Sequence, residues 1–187
     1  MRRDIEVESK SSFLGVPKDI AYIMRMLIAD TPQGRRIARL VYHNTADCLT
    51  NPDCEVTPEQ KMEILDSQYI CALPKIKIDA DKHTYITINF NDYVPNETNS
   101  FYRDHSIEIR IIVHFDNWNL QNNDLRAYRI AGEIDSMLNG AKMSGIGITN
   151  FVSATQDVYD EEYGGLTLNY RVVRGTEDKV AGIRPMI

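Results

Sequence analysis

The chain has 187 residues, with 21 Lys and Arg against 27 Asp and Glu, and a net charge of −6. That length suits one domain with a sizeable core and room for an arm or insertion. The acidic balance argues against non-specific nucleic-acid binding as the main task, because neutralising phosphates needs clustered cations. No apolar run approaches the roughly 20 residues needed to cross a bilayer.

The N-terminal stretch MRRDIEVESK has two arginines but no apolar core behind them, so a secretory signal is not expected and cytoplasmic synthesis is. Residues 1–16 read as an arm, 17–174 as one domain and 175–187 as a C-terminal tail. Pro17 suits the first turn of a helix. Ile20, Ile23, Met24, Leu27 and Ile28 then follow at core-facing helical spacing. Thr31 and Pro32 start a second helix, with Ile37, Leu40 and Val41 on its apolar side and Gly34 weakening it. A polar loop spans 43–57. Thr57 and Pro58 then open a short third helix carrying Met62, Ile64 and Leu65.

From Gln68 the period changes to two. Ile76 and Ile78 alternate with Lys75 and Lys77, and Ile86, Ile88 and Phe90 alternate with Thr87 and Asn89. Two such runs around a polar turn predict a β-hairpin. Residues 91–105 form an extended connecting loop without a period, which marks a functional loop. It carries Tyr93, Phe101, Tyr102 and Arg103, residue types that anchor interfaces.

The stretch 106–140, SIEIRIIVHFDNWNLQNNDLRAYRIAGEIDSMLNG, holds the clearest pattern. Ile107, Ile109, Ile111, Val113 and Phe115 share one parity, while Glu108, Arg110 and His114 take the other, so the strand has one apolar face. Leu125, Tyr128, Ala131, Ile134 and Leu138 form a helical stripe, capped by Asn123 or Asp124 and stopped at Gly140. Two more strands follow. The first covers about 145–154, with Ile146, Ile148 and Phe151 as candidate core, and the second covers 166–173, with Leu168, Tyr170 and Val172 inward. Between them lies an acidic hairpin tip. The predicted fold is α+β, a mostly antiparallel sheet of four to five strands with helices packed on one face.

Chemistry is sparse. His43, Cys48, Cys54 and Cys71 have His-x4-Cys-x5-Cys-x16-Cys spacing, looser than zinc knuckles, and read as ordinary side chains with no disulfide framework. Asp104, Glu108 and Arg110 echo a metal-nuclease row. Arginine stands where a lysine would orient water, however, and the polar face of a one-sided strand is the simpler reading. Asp157, Asp160, Glu161 and Glu162 lack an EF-hand ligand series and suit a solvated turn, or an acidic rim facing a channel or a basic partner patch. Gly145-Ile146-Gly147 is a strand bend rather than a dinucleotide loop. No catalytic residue, metal site or cofactor is expected. Glu108 and Arg110 join Tyr93, Phe101, Tyr102 and Arg103 as candidate interface residues.

The order of elements carries a resemblance: an N-terminal helix, a hairpin, the strand SIEIRIIVHF running into the helix LRAYRIAGEIDSMLNG, and the closing GIGITNFVSATQDVYDEEYGGLTLNYRVV. It resembles the tail-terminator, or tail-completion, proteins of long-tailed bacteriophages. The resemblance covers about 17–174 in element order. It implies a non-enzymatic virion protein, made in the host cytoplasm. Such a protein forms a homo-oligomeric ring, typically a hexamer, that caps the tail tube. It ends tail polymerisation and joins tail to neck and head, with the tail tube protein and neck connector proteins as partners. DNA passes through such a ring without specific binding, and no membrane is involved. A head-tail connector or stopper remains an alternative, and a small metal-dependent nuclease on Asp104 and Glu108 is the alternative of another class.

Overall fold

The computed structural model describes residues 15–72, 82–95, 102–143 and 146–175. The helices are α1 (Val16–Leu27), α2 (Pro32–Tyr42), α3 (Pro58–Asp66) and α4 (Arg126–Leu138). The strands are β1 (Ile70–Cys71), β2 (Thr84–Pro95), β3 (Tyr102–His114), β4 (Lys142–Met143), β5 (Gly147–Val158) and β6 (Tyr163–Gly175). They form one sheet in the order β1-β2-β3-β6-β5-β4. The expected α+β class holds, with β2, β3, β6 and β5 antiparallel and β1 added in parallel at the edge.

The three N-terminal helices form where the capping signals lie. Thr31 accepts a hydrogen bond from the Gly34 amide at 3.0 Å. Thr57 and Gln60 make a reciprocal capping box, each side chain accepting from the other's amide. Gly34, which weakens α2 by propensity, has a packing role. A Cβ there would lie 2.3 Å from the Ala29 carbonyl oxygen, so only glycine lets α2 approach the end of α1 this closely.

One sheet face carries Ile86 and Ile88 of β2, Ile107, Ile109, Ile111 and Val113 of β3, and Leu166, Leu168, Tyr170 and Val172 of β6. These pack into a single core with Ile23, Leu27, Ile37, Leu40, Ile64, Ile130, Ile134 and Leu138 from the helices. Burial of these β-branched and aliphatic side chains is the main driving force for the fold. The opposite face holds a smaller cluster of Tyr85, Ile112 and Tyr163.

Several expectations need correction. The stripe of α4 is rotated: Ala127, Ile130, Ile134 and Leu138 face the core, while Tyr128 is 46% exposed. Neither Asn123 nor Asp124 caps it. The helix starts after Leu125, and the Asp124 carboxylate accepts instead from the Leu125 amide at 2.8 Å, one residue too early. Gly140 does take the positive φ, 73°, that the helix stop asks for. The stretch 91–105 is largely strand. β2 runs on to Pro95 and β3 begins at Tyr102, with a register shift between Asn91 and Val94. The irregular φ of 56° at Asp92 belongs to that shift, which breaks the alternation visible in the sequence. Ile76 and Ile78 lie outside the described residues. The pairing of Ile70 with Ile86 is parallel rather than hairpin-like.

The rotation of α4 has a cause. Arg126 is fully buried. Its Nε donates to the Asn117 carbonyl at 2.8 Å, Nη1 to Leu40 at 2.6 Å and His43 at 2.7 Å, and Nη2 to Thr45 at 2.7 Å. One guanidinium thus ties the start of α4 to the end of α2 and the loop after it. The main-chain oxygens it meets include those at the negative end of the α2 dipole. The loop 43–57 is accordingly not only polar, since Cys48 and Cys54 are buried within it as free thiols.

Candidate interface at the free end of the sheet

α4 packs against β3, β6 and β5, with the Tyr128 hydroxyl donating to Gln156 and the Leu138 carbonyl accepting from the Thr149 hydroxyl. Most residues of β5 are nevertheless exposed. Cross-strand register places Phe151 beside Tyr170, Ala154 beside Leu168, Gln156 beside Leu166 and Val158 beside Gly164, all on the helix-side face. Phe151 is 41% exposed and Val158 71%, and Val152, the extra residue at the register shift, is 60% exposed. Tyr128 of α4 borders this shelf and donates to the Gln156 side chain at 3.2 Å. Ile148 and Phe151 are therefore surface residues rather than core, whereas Ile146 is buried as expected.

The main chain of β5 is also open. β4 covers only Gly147 and Ile148. Beyond it, the Thr149 carbonyl accepts from Gly140 and its amide donates to Ala141, and the Phe151 amide donates to the Asn139 side chain. Period-two alternation with one extra residue at Val152 then turns the amides and carbonyls of Ala154, Gln156 and Val158 outward. Among the described residues no strand pairs with that side. Residues 148–156, ITNFVSATQ, contain no charge and no proline. Apart from the bulge, the edge lacks the guards that keep strands from pairing with other chains.

The acidic residues at this end have separate roles. The Asp157 carboxylate accepts from the Thr167 hydroxyl. Asp160 closes the β5–β6 turn, its carboxylate accepting from the amides of Glu162 (2.8 Å) and Tyr163 (2.7 Å). Glu161 and Glu162 are exposed on that turn. Lys82 lies close enough for Glu162 to raise its pKa, but its main partner is Asp116.

The other candidate residues divide between two places. Glu108 and Arg110 form an ion pair of 2.9 Å on the face away from the helices, where Asn89 also donates to Glu108 at 3.3 Å. Arg110 lines a shallow hollow there with Thr155, Asp157, Val158, Tyr159 and Thr167. Asp104 lies further along the same strand and is met by Arg171. Among the described residues, no group of three or more His, Cys, Asp or Glu is placed to hold a metal ion. At the other end of β2, the Tyr93 ring stacks on His105 at 5.4 Å, and Phe90 stacks on His105 at 5.2 Å. Tyr93 is thus half used by the fold itself. Phe101 lies outside the described residues. Tyr102 and Arg103 are the first residues of β3, paired in register with Gly175 and Arg174.

The sequence pattern missed the β5 shelf. The signal is present: Val158 pairs with Gly164, which offers no side chain to cover it, and Val152 is the extra residue at the register shift.

No helix among the described residues is long and apolar enough to cross a membrane. No curated protein matches the chain. The profile of the YomW family, a phage-associated family, matches residues 35–172, from within α2 to near the end of β6. That span covers the helix layer from α2 onward and all six strands, so the chain belongs to the YomW family and is a phage-associated protein.

Proposed function

We propose that this protein assembles into a ring that caps the phage tail tube, ends tail polymerisation and joins the tail to the neck. The observation that carries the reading is the exposed end of the sheet. An open β5 main chain and the uncovered apolar side chains of Phe151, Val152 and Val158 form a surface suited to another protein chain. The family's phage association and the order of elements support the same reading. In this role the protein is a structural component of the virion. Its partners are further copies of itself, the tail tube protein and the neck proteins, and DNA passes through the ring without specific contacts.

Mass photometry of the purified chain, alone and with tail tubes, tests the proposal. The expected result is a discrete ring, six copies in the simplest case, that binds tube ends and stops their growth. A strictly monomeric protein that never binds tube ends overturns it. A ring that binds portal or neck complexes but leaves tubes growing moves the role to a connector.

A further inference from the structure

We infer that the N-terminal arm of a neighbouring copy adds to the open edge of β5 as a further antiparallel strand. This rests on the ring reading above and names its contact.

The edge selects the kind of occupant. Past the two residues covered by β4, the amides and carbonyls of Ala154, Gln156 and Val158 point out of the sheet, and among the described residues no strand pairs with them. A row of donors and acceptors repeating every second residue is matched by the main chain of another extended segment. A strand laid there sends alternate side chains to the helix side of the sheet. On that side it meets the exposed Phe151 and Val158 and the flank of α4 at Tyr128, whose hydroxyl is already bonded to Gln156. The occupant therefore carries apolar side chains at alternate positions. Glu161 and Glu162, exposed on the turn that follows β5, favour cations at the end that reaches them.

Residues 1–9, MRRDIEVES, have this pattern. They lie outside the described residues. Ile5 and Val7 alternate with Asp4, Glu6 and Glu8, so an extended segment here has one aliphatic face. Arg2 and Arg3 precede it. Running antiparallel to β5, the segment brings its arginines to the acidic turn and lays Ile5 and Val7 along the apolar shelf. Glu6 and Glu8 then take the other face of the sheet, beside the exposed Ser153 and Thr155.

The length of the chain makes the donor a neighbour. Residues 10–14 join this segment to α1, which packs on β2. Five residues reach at most about 18 Å. The place beyond β5 lies four strand spacings from β2, about 19 Å, with α4 packed across the intervening strands. The arm thus falls short of its own β5. Its root and the open edge sit on different sides of the molecule, so the contact is heterologous and repeats from copy to copy until it closes.

Crosslinking in the full-length chain tests this. Ile5→Cys and Gln156→Cys are made in separate chains, both with Cys71→Ser to remove the partly covered native thiol. With a short bismaleimide, an equimolar mixture is expected to give dimers joining one variant to the other, and neither variant alone is expected to crosslink. A chain carrying both cysteines is expected to give a ladder up to the full ring. Two further variants read the contact by mass photometry. Gln156→Pro removes an outward amide that the fold itself leaves unpaired, and Ile5→Asp with Val7→Asp removes the aliphatic face. Each is expected to raise the concentration needed for ring assembly by more than about tenfold, with thermal melting unchanged. Should the proline variant melt early, Ala154→Lys guards the edge with a charge and leaves the main chain intact.

Crosslinks confined to one chain place the arm on its own β5 and overturn the proposal. Crosslinks between two Gln156→Cys chains indicate β5 pairing with itself and also overturn it. Undiminished assembly of the edge and arm variants does the same, while wild-type rings in all three cases leave the ring reading standing. A wild-type chain that forms no ring, alone or on tube ends, removes the ring reading and this contact together.

Discussion

Arg126 offers the sharpest test of how this fold is held. Replacing it by Met keeps the length and apolar stem but removes a guanidinium that donates to four main-chain carbonyls at 2.6–2.8 Å. Leaving one buried acceptor unsatisfied costs about 1–3 kcal/mol. Two effects reduce the sum over four: loop carbonyls turn toward water, and the variant no longer buries a cation. Removing one side of a buried charged arrangement has a net cost of about 3–5 kcal/mol, and that is the expected loss here. For a domain of this size it lowers Tm by about 6–20 °C, at roughly 2–4 °C per kcal/mol. Urea unfolding of wild type and Arg126→Met, compared by midpoint at equal slope, measures it. Arg126→Lys is expected to recover little, because one ammonium cannot reproduce the planar fork. Burial lowers the Arg126 pKa without discharging the group. A loss below about 1 kcal/mol for Arg126→Met would refute the reasoning, since it would mean the four carbonyls find other donors.

The remaining predictions concern glycines, a histidine and the thiols. Gly34→Ala drives a Cβ to within 2.3 Å of the Ala29 carbonyl oxygen and is expected to destabilise by about 1–3 kcal/mol in urea unfolding. Gly132→Ala, in α4 with nothing within 4 Å of the new methyl, is expected to stabilise by about 0.5–1 kcal/mol. Burial lowers the His43 pKa, with Arg39 and Arg126 adding to the effect and a Cys54 main-chain hydrogen bond opposing it. The unfolded chain therefore takes up the proton first, and stability falls as pH drops below about 6.5. His43→Gln is expected to flatten that slope in unfolding curves taken at pH 7.5 and 5.5. Burial pushes the Cys48 thiol up, and Cys54 is also buried, whereas Cys71 is only partly covered. A thiol reagent at pH 8 is expected to label one cysteine quickly and the other two only on unfolding, and rapid labelling of all three would contradict this packing.

Local patterns in the sequence determined much of the fold. Period-two alternation located β3 and half of β2, because one apolar face is enough to specify a strand. Thr31, Thr57 and the prolines after them located α2 and α3, because capping is chemistry within four residues. Gly140 marked the end of α4 for the same reason. What failed needed distant partners. The stripe of α4 is not legible in the sequence because a charged residue, Arg126, turns inward to meet carbonyls of α2 and its loop more than 80 positions earlier. The stretch 91–105 shows no period in the sequence because a register shift between Asn91 and Val94 hides the alternation of β2 where it pairs with β3. Ile148 and Phe151 looked like core because an apolar residue on a strand usually is. Only the tertiary arrangement, in which β5 lies near the edge of the sheet beside the two-residue β4, leaves them on the surface.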